Sequence, residues 1–168
     1  GYRIGAGYDG SAGYYQNGWY DRWNLQGQLS YTPSDNVSLN TRVFLVDDRH
    51  GVFTQWRNAH EPFNAPLEAA GDYITNDKFQ WAISYSKIVS PRTAMKWRAL
   101  YYRTSFQNYL HNSDDYSTAH RIYSEWQTDY QVSSQHLVTG GIEGSANLVT
   151  ANLWNDHQVY DLAAYLQD

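Results

Sequence analysis

The chain has 168 residues, with 12 Lys and Arg against 17 Asp and Glu, no Cys, and 16 Tyr, 7 Trp and 5 Phe. The acidic balance excludes the basic stripe of a nucleic-acid binder, and the aromatic load excludes a disordered tail. Without Cys there is no disulfide, Cys-held zinc or thiol nucleophile, and no window approaches the roughly 18 uncharged apolar residues of a transmembrane helix.

Helical periodicity is scarce, whereas alternation with a period of two recurs along the whole chain. It predicts eight strands, at 4–9, 24–31, 37–45, 79–86, 95–102, 121–130, 138–145 and 160–167. In the third, Val37, Leu39, Thr41, Val43 and Leu45 share one face, and Ser38, Asn40 and Arg42 the other. Each segment is close to the length that crosses a bilayer when tilted. The apolar faces of these segments hold no charged residue. The opposite faces hold Arg3, Asp9, Arg42, Lys96, Arg98, Arg121, Glu125, Asp129, Glu143 and Asp161.

A soluble sandwich and a membrane barrel both alternate, so the connections must separate them. Short turns at 32–36, 88–92 and 132–135 take turns with long polar stretches at 11–22, 48–77, 105–120 and 147–157. All turns then lie at one end and all loops at the other, as in outer-membrane barrels. Tyr31, Tyr85 and Tyr130 sit toward the short turns and Tyr8, Trp81 and Tyr101 toward the long loops, the places expected of interfacial girdles. The expected fold is all-β, an antiparallel transmembrane β-barrel in a bacterial outer membrane. Its apolar face meets the bilayer and outer-leaflet lipopolysaccharide. The last strand stops at the membrane edge without a finishing aromatic, and the 48–77 connection is long for a loop without a function. Both features favour a part of a larger barrel.

Particular strings carry a resemblance. Tyr165-Leu166-Gln167-Asp168 after an alternating strand resembles the Tyr-x-Gln-Asp stretch of TonB-dependent outer-membrane receptor barrels. Residues 29–39 are similar to their strand–periplasmic turn–strand units, and 136–143 to the strand that precedes the Tyr-x-Gln-Asp strand. The resemblance implies that residues 1–168 form eight strands of a barrel of about 22, with no plug domain in this chain. It further implies active uptake of a scarce nutrient, such as a siderophore, cobalamin or glycan, coupled to the TonB complex through that plug. No enzymatic activity and no cofactor are expected. The alternatives are a complete eight-stranded structural or adhesive barrel, in which Ile4 and Leu162 become neighbours, and a passive porin.

Other signals have plainer readings. Gly5-Ala6-Gly7-Tyr8-Asp9-Gly10 fits a dinucleotide fingerprint, but the helix this motif needs does not follow it. His50, His60, His111, His120 and His157 fall in or beside the long connections without ligand spacing. Asp47-Asp48 and Asp114-Asp115 read as solvated doublets. Arg42, Lys96, Arg98, Arg121, Glu125 and Glu143 are expected to face the lumen, paired across strands or touching a plug or anionic ligand. The 48–77 loop gathers Phe53, Trp56, Phe63 and Tyr73 with Arg57, His60 and Glu61, stiffened by Pro62 and Pro66. Aromatics and Arg dominate binding surfaces, so ligand contact is expected at Trp56, Arg57, His60 and Phe63.

Overall fold

The computed structural model describes all 168 residues. Eight strands appear in chain order: β1 (Tyr2–Ser11), β2 (Tyr20–Ser34), β3 (Val37–Gly51), β4 (Tyr73–Ser90), β5 (Thr93–Tyr109), β6 (Tyr116–Gln131), β7 (Leu137–Ala151) and β8 (His157–Gln167). They form one antiparallel sheet in simple sequential order. The only helical turn is a 3-10 turn at Leu67–Ala69.

All eight expected strands are present, but the observed ones are longer. They extend into each stretch expected to be loop. The 48–77 connection begins only after Gly51 and ends at Tyr73, and the 105–120 stretch shrinks to a hairpin tip at residues 110–115. Polar residues in alternation build strand as readily as apolar ones once a neighbour supplies the ladder. β4, at 18 residues, spans about 60 Å, more than a bilayer core requires. Gly5, Gly7 and Gly10 lie inside β1, which rules out the nucleotide reading.

Two alternatives fall here. A sandwich needs a second sheet, and every strand lies in this one. A complete eight-stranded barrel needs β1 against β8. Instead β1 pairs with β2 alone and β8 with β7 alone, so Ile4 and Leu162 are not neighbours and the sheet is open.

Nor is there a conventional core. Only 5 of 168 residues are buried, while Ile4, Leu29, Ile122, Ile142 and Leu162 are all substantially exposed. Order comes from the ladder, which supplies 96 of 116 backbone hydrogen bonds. Register fixes the two faces, because directly paired residues point the same way. Leu29, Thr41, Ile83, Ala99, Ser124, Gly144 and Leu162 form one row across seven strands. Arg3, Gln28, Arg42, Ala82, Leu100, Tyr123, Ser145 and Asp161 form a row on the other face.

Candidate functional site

The apolar face has a sharp upper limit. Moving toward the loops, the first charged residue or histidine on it is Asp21 on β2, Asp47 on β3, Asp77 on β4, Arg103 on β5 and His120 on β6. In the register, Trp23, Asp47, Asp77, Ser105 and Thr118 are level. Asp21 therefore lies two residues loopward of that row, and Arg103 and His120 two residues turnward. The limit thus shifts by one residue per strand on average, about 3.3 Å along for each 4.8 Å across, an inclination of about 35°. From Val37 to Leu45 the uncharged band runs about 27 Å along β3, or about 22 Å once inclined.

Three polar groups inside or at the edge of this band are satisfied by neighbours on the same face. The Trp81 indole donates to Thr41 Oγ1 at 2.8 Å, the Trp97 indole to Ser124 Oγ at 3.0 Å, and the Tyr101 hydroxyl meets His120 Nδ1 at 2.8 Å. All six expected girdle aromatics stand on this face.

The polar face gathers every charge expected there, and its carboxylates are the most enclosed. The Glu125 side chain is only 10% exposed and lies 3.4 Å from Arg98. It accepts hydrogen bonds from the hydroxyls of Tyr165 at 2.8 Å and Tyr123 at 3.2 Å. Glu143 stands directly opposite Glu125 and takes the Tyr123 hydroxyl at 2.8 Å. Four residues further toward the turn on β6, Asp129 joins Lys96 at 3.0 Å and accepts from Gln127 and Thr139. Arg3, Arg42 and Arg121 form no ion pair, and all three are exposed. Among the charges expected on this face, ion pairs form only between β5 and β6, at Lys96–Asp129 and Arg98–Glu125, while Arg3, Arg42, Arg121 and Glu143 have none. The network depends on Tyr123, which reads in the sequence only as a strand aromatic, and on Tyr165, which reads only as part of the Tyr165–Asp168 string.

The expected ligand residues share one loop but differ in role. Arg57 is built into the fold: it donates to Ala65 O at 3.1 Å and pairs with Glu61 at 2.8 Å. Trp56 and Phe63 are 63% and 64% exposed, and His60 is exposed as well. The loop is held from the neighbouring 12–19 connection. Gln16 bonds Ala65 N through its side chain and Phe63 O through its backbone. Buried Asn17, at φ 60°, donates to Val52 O at 3.1 Å and Ala69 O at 2.7 Å. The Asn17-Gly18 dipeptide marks a turn in the sequence, but no local signal marks its partners 35 and 52 residues away.

Asn17→Ala removes both of these bonds and leaves the Val52 carbonyl without a partner, at about 1–3 kcal/mol, while Ala69 O keeps the backbone N–H groups of Gly71 and Asp72. The expected result is faster proteolysis confined to residues 52–72. Cleavage unchanged from wild type would mean the two loops are held by other contacts.

Strand alternation separates the acidic doublet at the top of β3. Asp47 points to the apolar face beside Arg49, at 3.7 Å. Asp48 points to the polar face, between Arg22 at 3.3 Å and His50 at 3.5 Å. The two cannot act as a carboxylate dyad. His136 bonds Asp168 at 2.8 Å, a contact between a turn and the end of β8. On the loop side, Asp9 accepts a hydrogen bond from the Tyr20 hydroxyl at 3.1 Å, and this bond holds the phenol above its ordinary range. No protein-family profile, no curated protein and no solved structure matches this chain.

Proposed function

We propose that these eight strands belong to a larger outer-membrane barrel, a TonB-dependent receptor that imports a scarce nutrient. The observation that carries the membrane part is the uncharged, exposed band with its limit inclined at about 35°, inside the roughly 35–45° strand tilt of such barrels. The receptor part rests on the resemblance of the Tyr165–Asp168 string and the strand–turn–strand units. In this reading the polar face lines the lumen, the free β1 and β8 edges pair with further strands, and the plug that engages TonB lies outside this chain. The ligand meets Trp56, Phe63 and His60 at the loop surface, with Arg57 holding the loop in shape.

The native polypeptide tests this directly. It should sediment with outer membranes, shift in electrophoresis on heating, and have the mass of a plug plus about 22 strands. A membrane polypeptide of about 20 kDa would overturn the receptor reading, and steady ion conductance by the purified barrel would favour a porin. Trp56→Ala should weaken nutrient uptake with the heat shift intact. Arg57→Ala should instead loosen residues 52–72, a difference that limited proteolysis reads.

A further inference from the structure

A groove of about 470 Å³ opens at the loop end of the sheet, between the 3-10 turn at Leu67–Ala69 and the hairpin tip at residues 110–115. Its aromatic side is Tyr73 on β4 and Tyr109 on β5, opposite each other in the register and stacked with ring centroids 4.5 Å apart. Trp19 extends this row, 6.3 Å from Tyr73. Both tyrosines belong to the face of the apolar band but stand beyond its charged limit. Tyr73 is four residues loopward of Asp77, and Tyr109 is six residues loopward of Arg103. Those steps are about 13 and 20 Å along the strands. The other wall carries Glu68, Asp72, His111 and Asp114, with no Lys or Arg. Asp72 accepts from the His111 backbone N–H at 2.9 Å, and Asp114 from the Gln107 amide at 3.1 Å. Each bond uses one carboxylate oxygen and leaves the other able to accept.

We propose that this groove binds an uncharged hexose in the outer core of lipopolysaccharide. The inference rests on the membrane reading above, which places that lipid around the loop end of the apolar face, and adds a sugar site to it. The C–H face of a pyranose ring is slightly positive and matches the negative face of an aromatic ring. Tyr109, 37% exposed, keeps ring surface open for such a contact. Sugar hydroxyls donate to carboxylate oxygens in charge-assisted bonds, stronger than neutral ones. The phosphates and acidic sugars of the inner core lie next to lipid A, at the level of the charged limit. The groove stands beyond them, where uncharged hexoses follow, and its carboxylates repel any anionic group that enters. Its place on the outward face separates it from the nutrient's path, which runs along the polar face inside the barrel.

The test places the full-length protein in nanodiscs holding two lipopolysaccharides in equal amount. Both have the same lipid A; one carries the complete hexose core, and the other is truncated to its phosphorylated inner core. Native mass spectrometry counts the molecules retained. Wild type should keep the complete form in about tenfold excess, the worth of one charge-assisted hydrogen bond. Tyr109→Ala should bring retention down to the bilayer's own ratio, and Tyr109→Phe should keep the excess. Glu68→Lys, at an exposed position, should narrow the excess by admitting the phosphorylated, truncated form. Equal retention by wild type, or an excess of the truncated form, would overturn the site without recourse to any variant. Displacement of the complete form by free maltooligosaccharide at micromolar concentration would assign the groove to a soluble glycan and overturn the lipopolysaccharide assignment. A protein that never enters bilayers would sink the barrel reading itself. One that inserts but ignores the hexose core sinks only this inference.

Discussion

Arginine at Ile83 should destabilise the membrane-inserted protein by about 2–4 kcal/mol, the cost of that side chain near the midplane of a barrel's lipid face. Ile83 sits mid-band, between Thr41 and Ala99 in the register, with no charged residue in its row on β2–β7. Gln80→Arg, three residues earlier on the same strand, falls on the opposite face between Phe44 and Tyr102. There a charge joins a surface that already carries Arg42 and Arg98, and the expected change is below about 0.5 kcal/mol, as for ordinary exposed positions. Urea unfolding of the protein in lipid vesicles, followed by tryptophan emission, measures both. The contrast is informative because Ile83 is half-exposed and packs on no second layer. If water covered that face, arginine would cost almost nothing. Equal stability of the two variants would therefore end the membrane reading.

Strand positions were legible because alternation is a local property, and each strand's inward and outward sets follow from a period of two. The same rule made the faces legible: Val37 to Leu45 fell on one side and Arg42 on the other before any pairing was known. The extent of the strands was not legible. Residues such as Asp48–His50 and Ser105–Asn108 read as loop because they are polar, whereas their pairing depends on neighbours that are distant in sequence. The inclined limit of the band was hidden for the same reason, since it exists only once register sets Asp21, Asp47, Asp77, Arg103 and His120 side by side. Of the loop residues, Trp56 and Phe63 stand exposed as expected. Arg57 has the composition of a ligand contact but the bonding of a structural residue. Composition cannot separate those roles; only the positions of Ala65 O and Glu61 do.

Glu125 and Glu143 should respond in opposite directions to the loss of a carboxylate. Glu125 is enclosed and accepts from Tyr165 and Tyr123, with Arg98 at 3.4 Å. Removing it in Glu125→Ala strips an acceptor from each of two hydroxyls. Tyr123 keeps its 2.8 Å bond to Glu143, and the Arg98 side chain is 51% exposed, so water screens the lost ion pair. Tyr165 is exposed, so water replaces its lost acceptor, and the net expectation is a modest fall in the unfolding midpoint. Glu143→Gln is different. Its amide oxygen still accepts from Tyr123, and the charge that opposes Glu125 across the strand pair is gone. Directly opposed like charges are unfavourable in a sheet, so this variant should be as stable as wild type or slightly more so. The double variant should be more destabilised than the sum of its parts predicts, because each single variant already relieves the repulsion and it can be relieved only once. Unfolding midpoints in vesicles for the four proteins of this cycle provide the test. A loss from Glu143→Gln as large as that from Glu125→Ala would contradict it. Both carboxylates would then be answering a cation contributed from outside these eight strands.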